Sequence, residues 1–439
     1  MASYKDLFRY TSGRWLHDEQ RQQALHYRRF NVDALKNVAV SSARAGGITG
    51  IRKLAEGRCN QVFHLQLTEG RQVIARIPTP LSGPPHLVTA SEVATMKFLR
   101  NRLGLTQVPR VLSWSSRSED TPVGAQYIIM DVADGVELHS VWHQLTMKQR
   151  LRLVHKWIIF ESKVIQAFIG GSGYGSLYYR KDIPVEDARD LSVDGQIDEE
   201  FGQMYHPISS LSPTPNALGP GSLPISQLLT VAHLLLHGNP LRVFSYRRTI
   251  SVSVAKYFIP SDERLVRPTL TLRDSNQGNI FLSREALERD GTIEISAVID
   301  WQHTAVLPLY LTALIPRFIE QAEPVPEQAE EEFLKEKAYL RKAYHALYQE
   351  TELDVVEVVA QADEDERTWM EMEDAVEGIE GVVGAESDGW VRNEDYERAV
   401  RANETLRRAR VENLGKEERQ GLGGVNPAEI WPFQGEAKS

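Results

Sequence analysis

The pattern of hydrophobic and polar positions first becomes regular near Ile51, where it predicts a β-hairpin. Apolar and polar residues partly alternate over residues 62–67, Glu69-Gly70 supplies the turn, and residues 73–77 form the returning strand. The loop ahead of this hairpin contains Gly57, and a loop so placed can cover phosphate groups with its backbone N–H groups. A single glycine does not make a G-x-G-x-x-G motif, so taken alone the loop is more simply interpreted as an ordinary hairpin loop.

Elsewhere the apolar residues recur three or four positions apart, which is the period of an α-helix. This pattern predicts helices over residues 18–29, 90–103, 146–169, 330–348 and 396–411. Asn31 is a suitable N-cap for a further helix that contains Leu35 and Val38. Short apolar runs predict buried strands over residues 108–114 and from Gln126 towards a turn at Gly135.

The stretch from Leu272 to Phe281 carries the candidate chemistry. A buried strand over Thr269–Leu272 leads into a turn on which Asp274 and Asn279 lie five positions apart, with Gly278 allowing a tight backbone. Two short strands follow, over residues 280–282 and 295–299, with a turn at Asp290-Gly291 between them. We expect this hairpin to carry Asp300 back towards Asn279.

Two carboxylates and an amide in this arrangement suit phosphoryl transfer. Mg²⁺ prefers oxygen ligands and usually takes one or two carboxylates, while phosphate oxygens complete its coordination. Asn279 and Asp300 supply such ligands, and Asp274 is then available to orient a hydroxyl group and accept its proton. Asp and Asn are common turn residues, so the D-x-x-x-x-N spacing gains specificity only from the strands and the I-D-W sequence that follow.

Composition and charge narrow the classes of function. With 439 residues, the chain is expected to form two or more domains. Its formal net charge of −10 argues against nucleic acid as the main partner, but not against ATP, for which a local basic site is sufficient. The single cysteine, Cys59, excludes an intramolecular disulfide and a multi-cysteine zinc site. No run of about 18 apolar residues is present, so we predict no membrane span.

Several longer stretches are similar to one known group of proteins. They are Asp6–Trp15, Ile74–Pro78, Gly83–His86, Ala90–Met96, Tyr174–Tyr178, Ile299–Gln302, Asp388–Val391 and Ile430–Phe433. On these residues, together with Asp274 and Asn279, the chain resembles the aminoglycoside/choline phosphotransferase family of protein-kinase-like enzymes. Within that family it looks most like the fungal altered-inheritance-of-mitochondria phosphotransferase-like proteins. The resemblance extends over nearly the whole chain.

The resemblance implies an α+β, two-lobed protein-kinase-like fold with a small antiparallel-sheet N-lobe and a larger, mainly helical C-lobe. The corresponding division is an N-terminal helical arm over residues 1–45, an N-lobe over 46–134 and a C-lobe over 135–350. Residues 351–439 form an acidic, partly helical C-terminal extension to which we assign no chemistry. A charge run of this kind is usually a solvated surface, although it would also suit a protein partner.

The resemblance also implies roles for individual residues. Asp274 takes the position of the catalytic base, and Asn279 and Asp300 those of the Mg²⁺ ligands. On the nucleotide side, Arg76 takes the position that contacts the phosphates and Glu92 that of its ion-pair partner. The alternatives for these last two are that both side chains are solvated, or that Glu92 only complements the dipole of its helix.

Two further positions follow from the linker of a two-lobed kinase, whose backbone binds adenine. Such a linker places Asp131 and Val132 beside the purine, and the alternative is a plain strand followed by a plain turn. Arg in place of the usual lysine is common in the fungal subgroup. The departure from the wider family is Leu272, which stands where that family has the histidine of an H-x-D motif that braces the loop.

Two hypotheses of different classes follow. The first is an ATP- and Mg²⁺-dependent phosphotransferase acting on a hydroxyl group of a small molecule. The second is a catalytically weak or inactive pseudokinase that binds nucleotide or a protein partner, which Leu272, Arg76 and the sparse glycine loop favour. A protein kinase is disfavoured because the sequence has no D-F-G and no A-P-E segment. We expect an intracellular location, mitochondrial by resemblance or cytoplasmic, since the acidic residues near the N-terminus are atypical of a mitochondrial presequence.

Overall fold

A computed structural model describes residues 4–166, 175–183, 189–193, 196–204, 268–272, 274–309, 315–320, 330–349 and 390–413. The chain divides into two compact units. The first comprises residues 1–89, 112–131 and 364–439, and the second comprises residues 90–111 and 132–363. The first unit therefore draws on both ends of the chain.

The described residues form helices and short strands, whose bounds are as follows. The strands are β1 (Gly13–Trp15), β2 (Ile48–Glu56), β3 (Asn60–Leu67), β4 (Gln72–Pro78), β5 (Val111–Ser115), β6 (Tyr127–Asp131), β7 (Val136–Glu137), β8 (Ser176–Tyr179), β9 (Arg189–Val193), β10 (Gln196–Met204), β11 (Pro268–Thr271), β12 (Ile280–Leu282), β13 (Ile295–Val298), β14 (Ala305–Pro308) and β15 (Trp390–Arg392). The helices are α1 (Lys5–Phe8), α2 (Glu19–His26), α3 (Val32–Ala43), α4 (Leu87–Lys97), α5 (Leu138–Val141), α6 (Met147–Gln166), α7 (Arg284–Asp290), α8 (Arg317–Glu320), α9 (Glu330–Gln349) and α10 (Tyr396–Asn413).

A five-stranded sheet in the order β2-β3-β4-β6-β5 is the centre of the first unit, and β2, β3, β4 and β6 pair antiparallel. One face carries Phe63, Leu65 and Ala75, which have no exposed surface and pack in one core with residues of α3. Asn31 caps α3 as the sequence predicts, because its side chain accepts a 3.1 Å hydrogen bond from the N–H of Ala34.

The two ends of the chain meet in a second sheet of this unit. Strand β1 pairs antiparallel with β15, with Arg14 opposite Val391. Trp15 is buried, and its ring lies 4.6 Å from the ring of His26. The close approach of β1 to β15 needs Gly13, because a Cβ atom at this position would overlap the indole of Trp390.

The second unit is mainly helical in its described residues, and its long helices α6 and α9 lie against each other. Arg150 of α6 forms a 2.6 Å ion pair with Glu336 of α9, and Tyr344 of α9 donates a 2.8 Å hydrogen bond to Glu161 of α6. The ring of Trp157 packs edge-on against Phe318 at 5.5 Å. Small sheets, β11-β14 and β13-β12-β7, lie in the same unit.

The α+β fold class is confirmed, with a small antiparallel sheet in one unit and a mainly helical second unit. The strands predicted from residue 51 onwards and the long helices lie close to their predicted positions. One local prediction was incomplete. Strands β12 and β13 do pair antiparallel, but helix α7 lies between them in the sequence, capped by Ser283 and ended by Gly291 in the left-handed conformation.

The predicted domain boundaries stay a prediction. No helix among the described residues has the length and apolar character needed to span a bilayer.

Candidate functional site

The candidate site is built on the loop that follows β11 in the second unit. Strand β11 pairs with β14, and the chain then turns sharply through Asp274 to Asn279. The side-chain oxygen of Asn276 accepts hydrogen bonds from the N–H groups of Gly278 (2.7 Å) and Asn279 (3.1 Å). Its Nδ2 group donates to Oδ1 of Asp274 across 2.8 Å. One asparagine thus fixes both the turn and the carboxylate of the candidate base.

Asn279 joins the loop to the hairpin. Its Nδ2 group donates a 3.0 Å hydrogen bond to the backbone oxygen of Asp274, so its side-chain oxygen is turned away from that carbonyl. The backbone oxygen of Asn279 accepts a 2.9 Å hydrogen bond from the N–H of Ile299. The next residue, Asp300, has a left-handed backbone with φ of 60°. The structure therefore brings Asp274, Asn279 and the Asp300 backbone to one place, as the sequence predicts; their chemical roles stay predictions.

A segment about forty residues further along holds the loop from outside. The backbone oxygen of Ser275 accepts a 2.9 Å hydrogen bond from the N–H of Phe318. The hydroxyl oxygen of Ser275 accepts a 3.0 Å hydrogen bond from the N–H of Arg317. The buried amide of Gln277 donates to the backbone oxygen of Phe318 across 3.1 Å. The guanidinium of Arg317 lies 3.7 Å from Oδ1 of Asp274. Sequence reasoning missed these contacts, and no local pattern indicates them.

Gly278 lies where the backbone is crowded. A Cβ atom there would be 3.1 Å from Oδ1 of Asn276 and 3.4 Å from the carboxylate of Glu137. The tight backbone expected at this glycine is therefore present. Leu272 directly follows β11 and is half-buried.

Three of the predicted nucleotide contacts belong to the sheet of the first unit. Gly57 follows β2 directly, and its N–H donates to the backbone oxygen of Asn60 across 2.9 Å, which closes a tight loop. Arg76 lies on β4 and is 94% buried; the alternation along the strand places it on the face opposite Val73 and Ala75. Asp131 is the last residue of β6 and pairs with Val73.

The other two predicted nucleotide contacts belong to the second unit. Glu92 lies on α4 and is 3% exposed, while Val132 is 37% exposed. The burial of both Arg76 and Glu92 excludes the alternative in which the two side chains are solvated. A buried charge has to be compensated, so each of these side chains needs a polar partner.

No protein-family model matches the chain. A subtelomeric hrmA-associated cluster protein of Aspergillus fumigatus is 32% identical over 327 residues, which cover 64% of this chain and 62% of that protein. The mitochondrial altered inheritance of mitochondria protein 9 of Yarrowia lipolytica is 29% identical over 205 residues, covering 43% of this chain and 35% of that protein. The matched part of the chain thus spans less than two thirds of the Aspergillus relative.

Among solved structures, the gentamicin complex of aminoglycoside phosphotransferase APH(2")-IIa is similar with a TM-score of 0.42 and 14% identity, covering 78% of this chain and 88% of that one. Aminoglycoside phosphotransferase APH(4)-Ia gives a TM-score of 0.37 and 16% identity, covering 77% and 95%. The sequence comparison confirms the resemblance, since fungal altered inheritance of mitochondria 9 proteins are among the relatives to which this chain is similar.

Proposed function

We propose, from this relationship and from the geometry of the loop, that the chain transfers a phosphoryl group from ATP to a hydroxyl group of a small molecule with the help of Mg²⁺. The observation that carries the proposal is the double contact of Asn279, through its side chain to Asp274 and through its backbone to Ile299. It joins a candidate base and one candidate metal ligand in one hydrogen-bonded frame, and the second candidate ligand, Asp300, directly follows Ile299. Asp and Asn oxygens at this spacing are what kinase-type phosphoryl transfer requires.

The donor set fits Mg²⁺. Asn279 commits its Nδ2 group to the backbone of Asp274, and this leaves its side-chain oxygen for a cation. The carboxylate of Asp300 would supply a second hard oxygen ligand. When bound with ATP, Mg²⁺ would supply positive charge across the phosphates as the phosphoryl group moves.

Asp274 would orient the acceptor hydroxyl and take up its proton. The described contacts of its carboxylate, from Asn276 and from Arg317, are made to Oδ1. Oδ2 is therefore the oxygen that we assign to the acceptor. Because Asn276 holds the carboxylate from one side, the proton acceptor is positioned before the substrate arrives, which is the preorganisation that transfer needs.

On the nucleotide side, the loop at Gly57 would lie over the phosphates and Arg76 would neutralise their charge, with Glu92 fixing the guanidinium. Asp131 and Val132 would lie beside the purine. A fork-shaped guanidinium can contact two phosphate oxygens at once, so Arg76 serves this role without the usual lysine. The acceptor would be a small molecule that carries a hydroxyl group.

A second function, a pseudokinase that binds nucleotide or a protein without turnover, is favoured by Leu272 in place of the bracing histidine. A protein partner was predicted for the acidic extension, and residues 351–389 of that extension lie outside the described part of the chain. We also propose a mitochondrial location, because the relatives of the altered inheritance of mitochondria 9 type are named as mitochondrial proteins.

A thermal-shift titration with ATP, with and without Mg²⁺, tests the site. A ligand that binds only the folded state stabilises it by about 2.7 kcal/mol at a concentration one hundred times its Kd. In the wild type, we expect ATP to stabilise the protein more strongly when Mg²⁺ is present. In Asp300→Asn, we expect this additional stabilisation by Mg²⁺ to be lost. The matched control is Asp33→Asn, since that carboxylate is 76% exposed on α3. Absence of any shift in the wild type would count against nucleotide binding.

Turnover separates the two functions. For a phosphotransferase, Asp274→Asn should keep the affinity for Mg²⁺-ATP within about threefold but lower the rate of phosphoryl transfer by at least about a hundredfold, as loss of a general base does. An acceptor screen that follows consumption of ATP measures this rate. The pseudokinase would be favoured if the protein binds nucleotide but transfers phosphate to no acceptor, and if Asp274→Asn behaves like the wild type.

A further inference from the structure

A buried carboxylate lies directly before the candidate phosphate loop. Glu56 is the last residue of β2 and precedes Gly57, and its side chain is only 1% exposed. Its Oε1 atom accepts hydrogen bonds from the N–H of Thr11 (2.5 Å) and from the hydroxyl groups of Thr11 (2.7 Å) and Ser12 (3.0 Å). Its Oε2 atom accepts from Nζ of Lys53 across 2.6 Å. Four donors thus converge on one carboxylate.

The same lysine ties the N-terminal segment to the sheet. Nζ of Lys53 also donates to the backbone oxygen of Arg9 across 2.5 Å. Burial disfavours the charge on Glu56, but the hydrogen bonds from Lys53 and Thr11 outweigh it and hold the pKa of the Glu56 carboxyl below its usual value. Glu56 is therefore ionised at neutral pH, and its charge attracts the donors of residues 11 and 12.

The C-terminal part of the chain fixes those donors in turn. Nδ2 of Asn393 donates to the backbone oxygen of Thr11 across 2.9 Å, immediately beyond the pairing of β1 with β15. The hydroxyl of Tyr396 donates to the backbone oxygen of Trp15 across 3.3 Å, and the guanidinium of Arg14 lies 3.9 Å from the centre of the Tyr396 ring. We call residues 9–15 and 390–396 together the terminal clasp.

The other limb of the loop is held from within the sheet. The hydroxyl of Thr79, just after β4, donates to the backbone oxygen of Arg58 across 2.8 Å, and its N–H donates to the backbone oxygen of Cys59 across 2.9 Å. The hydroxyl of Ser82 also donates to the oxygen of Cys59. The loop from residue 56 to residue 60 is thus anchored at one end by the terminal clasp and at the other by β4 and the turn after it.

We propose that Glu56 is a positioning residue, and that the terminal clasp holds the loop after it in the conformation that receives the phosphates of the nucleotide. The inference rests on the proposed function for the identity of the ligand. A loop that is ordered before binding loses less conformational entropy when it binds. Nucleotide affinity would therefore depend on Asn393, a residue 382 positions from Thr11 in the sequence that has no part in the nucleotide contacts.

The alternative is that these hydrogen bonds only stabilise the first unit. Amide hydrogen exchange of the nucleotide-free protein, followed over residues 57–61 by mass spectrometry, distinguishes the two. We would compare the wild type with Glu56→Gln and Asn393→Ala. The control is Glu69→Gln, whose exposed side chain lies at the turn between β3 and β4, at the opposite end of the hairpin.

We expect exchange over residues 57–61 to rise about tenfold in Glu56→Gln and severalfold in Asn393→Ala, with exchange in β6 unchanged, because loss of these hydrogen bonds opens the loop locally. Affinity for Mg²⁺-ATP should fall by a comparable factor in both variants and stay unchanged in Glu69→Gln. If the folded variants exchange their amide hydrogens over residues 57–61 at the same rate as the wild type, the proposal is overturned. Faster exchange at unchanged nucleotide affinity would overturn it as well.

The two proposals can fail separately. If exchange rises in the variants but the wild type binds no ATP, the clasp holds the loop and the proposed nucleotide function is wrong. If Glu56→Gln does not fold, Asn393→Ala still decides the question, because it leaves the carboxylate of Glu56 and the donors of Thr11, Ser12 and Lys53 in place.

Discussion

The side-chain amide of Asn279 donates a 3.0 Å hydrogen bond to the backbone carbonyl of Asp274, five residues earlier. A single side chain therefore closes the loop with its nitrogen and presents its oxygen elsewhere. Closing the loop and binding a cation are then properties of two different atoms, and substitutions can separate them.

Asn279→Ala should lose both properties, whereas Asn279→Asp should lose only the hydrogen bond. We expect each to lower the free energy of unfolding by about 1–2 kcal/mol, since the carbonyl of Asp274 loses its donor. Only Asn279→Ala should also abolish the Mg²⁺-dependent part of the ATP thermal shift. The control is Asn101→Ala, at an exposed position of the same unit. Equal metal dependence in Asn279→Ala and in the wild type would exclude this residue as a ligand.

The contacts of Ser275 predict that Leu272 matters less than its place in the motif indicates. The loop is braced by Ser275 and Gln277 through the backbone of residues 317 and 318. Leu272→Met, which nearly conserves volume, should change turnover by less than about twofold. Ser275→Ala should cost about 1–2 kcal/mol of stability and lower turnover more, because it leaves the N–H of Arg317 without its acceptor. The reverse order of effects on kcat would contradict this account.

Gly135 should tolerate no side chain. Its φ is 108°, and a Cβ atom there would overlap the backbone oxygen of Leu282 and lie 2.5 Å from Oγ of Ser296. Gly104 has a φ of 66° but open space around it, so Gly104→Ala carries the backbone strain alone. We expect Gly104→Ala to cost about 1 kcal/mol and Gly135→Ala at least about 3 kcal/mol, measured by urea unfolding. Similar values for both variants would show that β7 can shift away from β12.

Glu161 should make stability depend on pH. Part of this residue reaches the surface, but its carboxyl group is buried, and burial raises its pKa to about 7, although the hydrogen bond from Tyr344 acts to lower it. The unfolded chain releases this proton near pH 4.5, so between about pH 4.5 and 7 the folded state binds more protons than the unfolded state. The stabilisation from this group is therefore complete below pH 4.5 and lost as pH rises through 7.

Glu161→Gln removes the titration and keeps an oxygen for the hydroxyl of Tyr344. At pH 8 we expect it to be more stable than the wild type by about 1–3 kcal/mol, and its unfolding free energy should vary less between pH 5 and 8. Glu285→Gln is the control, since that side chain is 88% exposed. A pH profile of Glu161→Gln parallel to that of the wild type would show that the carboxyl is ionised throughout.

Local pattern predicted much of this molecule. The hairpin of β3 and β4, the long helices α6 and α9, and the turn that carries Asp274 and Asn279 follow from periodicity and from the turn residues themselves. Helix α7 escaped prediction because seven residues with an ordinary cap fit equally well into a connecting loop.

The long-range contacts that hold the loops could not be predicted from the local pattern of hydrophobic and polar residues. Ser275 contacts Phe318 through backbone groups that every residue has, and Thr11 offers only its backbone oxygen to the side chain of Asn393. The pairing of β1 with β15 involves three residues on each strand, too few for an alternation to be recognised. Periodicity indicates which face of an element is buried, but it carries no record of which distant segment covers that face.

The pairing of β1 with β15 also has a consequence for biosynthesis. Thr11 leaves the ribosome long before Asn393, which is made 382 residues later. At about 5–20 residues per second, the interval is roughly 20–80 seconds. During that time the five-stranded sheet can form, but the strand that completes its neighbour does not yet exist. The first unit thus begins to form first and is completed last. The second unit is synthesised while β1 still lacks its partner strand.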